Sequence, residues 1–169
     1  GGSTYFPYAK NSVEYFSIVD NKYIFKALIN GFNLPQPRLY FSVGAEYEVI
    51  CEEDFVSRLG KLKSDIVLKP IDGSCGEGIF IYHYKNGTYN LKDKPVSVSS
   101  IWNSISSGKR RYLVEEKVTQ KKSYSALNPS CLNTYRIILI RLDDGDSYVA
   151  RVALRIGKRG SMVDNTSMG

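Results

Sequence analysis

Several residue types that announce function are scarce in this 169-residue chain. His83 is the single histidine, on a predicted strand among tyrosines, and no second metal-type residue or nucleophile neighbours it. Packing is therefore its expected role. The three cysteines, Cys51, Cys75 and Cys131, are odd in number, far apart and in no C-x-x-C pair. That argues against a disulfide framework or a zinc site and fits a reducing, cytoplasmic interior. Cys51 and Cys131 read as small buried thiols, and Cys75 as a small side chain that fits a tight loop. No apolar run approaches a membrane span, and no charged-then-apolar signal peptide is present. No internal repeat or low-complexity tract appears. Gly1-Gly2-Ser3 reads as a cloning scar, and residues 1–11 are set aside as a leader.

What is present is a globular composition, 43% hydrophobic and 24% charged, with a net charge of +6 and 13 tyrosines. The charge suits an anionic partner, and the tyrosines raise the question of a basic-aromatic nucleic-acid surface. They scatter over strands, however, and show no RNA-module signature. The basic clusters Lys109-Arg110-Arg111 and Lys121-Lys122 are expected on a solvated surface.

"DNKYIFKALING" (20–31) predicts a helix, capped by Asp20 and ended by a left-handed Gly31. Two prolines lead from it into an extended run. Glu52 to Leu62 predicts a second helix, acidic at its start and basic at its end, as the helix dipole favours. "DIVLKP" is a short strand. "GIFIYHYKNGTYNL" is a hairpin about Asn86-Gly87. Lys92 to Pro95 is expected as a loop and Ser97 to Ser107 as a helix carrying Trp102. "RYLVEEKV", "NTYRIILIRL" and "SYVARVALRIG" are strands, the last two joined by a "DDGD" turn. The order predicts an α+β fold with a mostly antiparallel sheet.

The stretch "VLKPIDGSCGEGIFIY" (67–82) raises the chemical question. Its glycines are spaced G-x-x-G-x-G, with a lysine before them and a strand after. A P-loop needs a lysine after its glycines, a dinucleotide fingerprint leads into a helix, and a kinase loop has its lysine on a later strand. None of the three fits. A glycine-rich turn that merely joins two strands is one reading. The other is an anion cradle: Gly73, Gly76 and Gly78 can bring N–H groups close to phosphate, Ser74 adds a hydroxyl, and Lys69 a point charge.

Together with "YLVEEKV" (112–118), this stretch resembles the ATP-grasp family. "DNKYIFKALINGFNLPQP" resembles the family's leading helix, and "LNTYRIILIR" and "ALRIGKRGSMVDNTSMG" its second lobe. The chain is most similar to the sugar-transfer-associated branch, with a looser likeness to ligases that join amino acids to a carboxylate. The resemblance covers roughly residues 12–169. It implies a small ATP-binding lobe at 67–118, preceded by a leading helix and connector at 12–66 and followed by an incomplete second lobe at 119–169. It implies that Lys69 meets the adenine edge and α-phosphate, and that Gly73, Ser74, Gly76 and Gly78 form a lid over the β- and γ-phosphates. Glu115 and Val118 would meet adenine through backbone groups, with Glu116 beside them and Lys22 approaching from the leading helix. Arg136 and Arg155 would face phosphate or an acyl phosphate, and Asn165 would line the reaction centre.

The implied cofactors are ATP and Mg²⁺, and the implied activity is an ATP-dependent ligase that joins a carboxylate to an amine. A small-molecule or glycoconjugate acceptor in polysaccharide assembly is expected. The family's metal carboxylates, an Asp or Glu and a Glu-x-Asn pair, would lie beyond Gly169. Asp143, Asp144 and Asp146 are better explained as a turn than as substitutes. The chain thus reads as a truncated unit, and an open sheet edge predicts dimerisation or poor solubility. Three other readings stand beside the ligase: a phosphotransferase on the same scaffold, a non-catalytic polyanion binder, and an inactive folding fragment.

Overall fold

The computed structural model describes residues 13–73, 76–108 and 110–161. A 3-10 turn at Val13–Tyr15 leads into helix α1, Phe16–Asp20, and then α2, Lys22–Gly31. Asp20 is not the cap of α2. It is helical itself, whereas Asn21 has the extended backbone that a cap needs, and its Oδ1 accepts from the N–H groups of Tyr23 and Ile24 at 3.0 and 3.1 Å. Nor does Gly31 turn left-handed: it ends the helix, and Asn33 takes the positive φ of 54°.

Strand β1 is Leu39–Val43 and helix α3 is Glu52–Leu62, with the bounds the charge pattern predicts. Strand β2, Ile66–Pro70, precedes the glycine loop, and β3, Phe80–Lys85, follows it. Asn86 and Gly87 turn β3 into β4, Thr88–Leu91, with φ of 52° and 81°, as a type I′ turn requires. The expected loop at Lys92–Pro95 is instead a second tight turn followed by a strand. Lys92 and Asp93 adopt φ of 50° and 62°, and β5 spans Lys94–Val96. Non-glycine residues in left-handed conformation leave no strong sequence signal. Pro95 is tolerated because β5 is the sheet edge. Helix α4, Val98–Ser106, is capped by Ser97, and strand β6 is Tyr112–Glu116.

These strands form one antiparallel sheet in the order β1-β6-β2-β3-β4-β5. Because side chains alternate, Phe41, Ile66, Leu68, Tyr112 and Val114 share one buried cluster with Phe55 and Leu59 of α3 and Ile101 and Ile105 of α4. Burying each such side chain contributes about 1.5–3 kcal/mol. The alternate positions take the other face. Lys69 stands opposite Leu113 and Val67 opposite Glu115, so Lys69 and Glu115 emerge on the same side, away from that core.

The chain divides into two compact units between Lys117 and Val118. The second holds a short helix, α5, Lys122–Ser125, and two paired strands, β7, Thr134–Arg141, and β8, Ser147–Arg155. The Asp143-Asp144-Gly145-Asp146 stretch is a turn: Leu142 donates to the Asp146 carbonyl at 2.7 Å, and Gly145 has φ of 94°. Two buried asparagines tie this unit together. Asn133 Nδ2 reaches the carbonyls of Tyr124 and Asn128, and Asn128 Nδ2 reaches those of Gly157 and Lys158.

Candidate functional site

The site is built where α2 meets the Lys69–Glu115 face of the sheet. A groove of about 380 Å³ opens there, with Phe25, Ile29, Leu34 and Pro35 as its apolar lining and Lys22, Lys26, Lys69 and Glu115 as its charged groups. Lys22 and Lys26 lie one helical turn apart and so share a face. The Glu115 side chain is only 3% exposed and forms two ion pairs: Oε2 lies 2.5 Å from Lys69 Nζ, and Oε1 lies 3.0 Å from Lys26 Nζ without a hydrogen bond. An isolated carboxylate would not stay charged at such depth, so the pairing is what makes the arrangement tenable. Three ammonium groups against one carboxylate leave the groove cationic.

Lys22 ties this groove to the glycine loop. Its Nζ donates to the Gly73 carbonyl at 2.6 Å, and its backbone N–H donates to the Ile71 carbonyl at 3.1 Å. Burial first, and then the neighbouring Lys69 charge, hold the Lys22 ammonium below the ordinary lysine range, against the pull of Asp20 and Asp72. A β-carbon on Gly73 would meet nothing within 4 Å, so this part of the loop borders open space. Gly78 is the opposite case. At φ of 73°, a β-carbon there would come within 2.9 Å of Pro70 Cγ and 3.0 Å of the Arg110 guanidinium.

Arg110 and Arg111 are more than solvated surface. Arg110 bonds Glu77 inside the loop at 2.7 Å, and Arg111 bonds Asp72 at its start at 2.5 Å. Lys109 lies outside the described residues. The bond from Arg110 keeps the Glu77 carboxyl below its ordinary value. The acids at 72 and 77 and the basic run at 110–111 were visible in the sequence, but their pairing depends on β2 lying beside β6.

The groove therefore brings together Lys22, Lys69, Glu115 and the Gly73 end of the loop. Glu115 was expected to act through its backbone; what it presents to the groove is its carboxylate. Glu116 lies on the opposite face, across from Ile66. Val118 begins the second unit. Ser74 and Asn165 lie outside the described residues. Arg136 pairs with Ala153 and Arg155 with Thr134, which puts both arginines on one face of the β7–β8 ribbon, with Arg151 on Ala153's other side. Lys26 was missed, although its spacing from Lys22 pointed to it.

Two smaller expectations change. Cys51 is exposed at the start of α3, and Cys131 is only half-buried, so neither is a buried thiol. His83 is not simply packed: its Nδ1 lies 2.7 Å from Asp65 Oδ2. Burial pushes the Asp65 carboxyl up, but the Tyr84 N–H, His83 and Lys117 outweigh it and hold it below the usual range. Among the described residues no cluster of three His, Cys, Asp or Glu side chains could hold a metal ion. No described helix is long and apolar enough to cross a membrane.

An antiparallel α+β sheet that carries a cationic groove with an apolar lining, next to a glycine loop, defines an anion-binding domain suited to a nucleotide. The chain matches the family described as sugar-transfer associated ATP-grasp over residues 3–169, and it belongs to that family. ATP is accordingly its ligand class, and its fold is the α+β ATP-grasp fold. No curated protein and no solved structure matches the chain.

Proposed function

We propose that the groove is the ATP site of an Mg²⁺-dependent ligase that joins a carboxylate to an amine, with a small-molecule or glycoconjugate acceptor. The observation that carries this reading is the convergence of Lys22, Lys26 and Lys69 on one groove with an apolar lining. The groove fits ATP in kind: Phe25, Ile29 and Leu34 offer a flat base an apolar surface, and the ammonium groups offer phosphate its counter-charge. Bound ATP supplies the phosphoryl group that activates a carboxylate toward an amine.

The chain's own residues position and neutralise. Lys69 contacts the adenine edge and α-phosphate, and Lys22 approaches from α2. Gly73, Ser74, Gly76 and Gly78 cover the β- and γ-phosphates, with Arg110 and Arg111 bracing the loop. Glu115 flanks the base, whereas Glu116 lies on the other face of the sheet. Arg136, Arg155 and Asn165 are assigned to the phosphoryl group in transfer by family likeness, since arginine's planar fork suits a charged, multi-oxygen centre.

Calorimetric titration of ATP with Mg²⁺ tests the site. Lys69→Ala should weaken binding about tenfold or more, the range for losing a charge-assisted contact. Equal binding by both proteins would remove Lys69 from the site, and no binding by the wild-type chain would sink the reading. Formation of ADP only with hydroxyl acceptors would replace ligation with phosphotransfer.

A further inference from the structure

Lys26 and Lys69 hold the same buried carboxylate, but they are not held alike. Lys26 Nζ also donates to the Pro37 carbonyl, and the Lys26 carbonyl accepts from Gln36 at 3.1 Å. Its side chain is 11% exposed. Lys69 is 27% exposed and, among the described residues, has Glu115 as its one polar partner. Lys26 is thus anchored at its ammonium and at its backbone, whereas Lys69 is held through one ion pair.

We propose that Lys26 is a positioning residue: it stays on Glu115 so that Lys69 can leave that carboxylate for an anion in the groove. This extends the ATP reading above and rests on it for the identity of the anion. The physical reason is the cost of an unpaired buried charge. With Lys26 in place, departure of Lys69 leaves Glu115 with a counter-ion. Without Lys26, Lys69 is the only counter-ion, and its departure would strand a carboxylate that is almost wholly out of water. Lys69 would then be locked. The lysine needed for binding is thus released by a neighbour that need not touch the ligand, and no covalent bond changes.

Two measurements test this. Pulse acylation of the nucleotide-free chain, read by mass spectrometry at Lys69, reports whether that amine is locked. Calorimetry with ATP and Mg²⁺ reports its use. Lys26→Met should slow Lys69 labelling and weaken ATP binding, each about tenfold. Lys26→Arg should stay near wild type. Adding Glu115→Gln to Lys26→Met should restore Lys69 labelling, because an uncharged amide no longer holds Lys69. A lysine that acted by touching phosphate would not be rescued this way. Unchanged Lys69 labelling in Lys26→Met, or failed rescue, overturns the proposal. Lys26→Gln keeps a donor but not the charge, and should show the same loss in milder form; it carries the test should Lys26→Met not fold. If labelling follows the expected pattern while the wild-type chain binds no ATP, the ATP reading falls and the exchange at Glu115 stands.

Discussion

Up to Lys117, the fully buried side chains are chiefly apolar: Phe55, Leu59, Ile66, Leu68, Ile101 and Val114. Beyond it, the described residues that are buried are Asn128, Asn133 and Gly157, while Ile137 and Leu139 of β7 are 56% and 64% exposed. The first unit is held by non-directional burial on one face of a sheet. That leaves its other face free to carry Lys69 and Glu115 at positions set by strand register. The second is held by directional side-chain bonds to backbone carbonyls. Its arginines are placed by the pairing of β7 with β8, without a packed layer of described residues beneath them. A charged site can be preset where an apolar core pays for rigidity elsewhere.

The largest expected effect breaks the contrast if it fails. Leu68→Ala should cost about 2–5 kcal/mol, because it removes buried methyl groups and leaves a cavity. Ile137→Ala, on the exposed ribbon, should stay within about 0.5 kcal/mol. Urea denaturation of the two variants gives both numbers, and a comparable cost for Ile137→Ala would mean that the ribbon is covered in solution. Next in size is Asn128→Ala. It leaves the Gly157 carbonyl without its 2.5 Å donor and the Ser130 N–H without its acceptor. A loss of about 1–3 kcal/mol is expected, seen as a lower urea midpoint. A neutral outcome would show that the polar stitching does not hold the second unit.

Asp65 carries a smaller, pH-dependent effect. A carboxyl held below its ordinary value of 3.8 contributes stability above that value and loses it as pH falls through the lower, folded-state value. Urea midpoints of wild type and Asp65→Asn should therefore differ at neutral pH and converge in acid. The group is about one-third exposed, so the difference is modest. A gap that persists to about pH 2 would mean that the asparagine disturbs packing instead.

Local signals made much of the first unit legible. The charge gradient of α3 marked its ends, and Asn86-Gly87 marked its turn. The prolines and the lysine before the glycine loop marked β2. What stayed hidden was either short or long-range. The four residues of α5 are too few for a period, and the Lys92-Asp93 turn uses residues that seldom adopt positive φ. At the site, Lys69 and the glycines could be singled out from spacing. The carboxylate that faces Lys69 could not, because Lys69 and Glu115 meet only through the β2–β6 register. Lys26 needed one step more: the helix period shows which face it shares with Lys22, but not that a buried carboxylate waits there.

The smallest effect separates the two cationic regions by kind. A lysine ammonium can lose its proton in alkaline solution, whereas an arginine guanidinium does not. Lys22 is held below the ordinary lysine value of 10.5, chiefly by burial. An anion placed beside it favours the charged form and pushes that value back up, so binding must take up a fraction of a proton wherever free Lys22 is partly neutral. In the alkaline range just below the ordinary value, the apparent enthalpy of ATP binding should depend on the ionisation enthalpy of the buffer. Lys22→Met should abolish that dependence. If the uptake survives in Lys22→Met, another group titrates on binding.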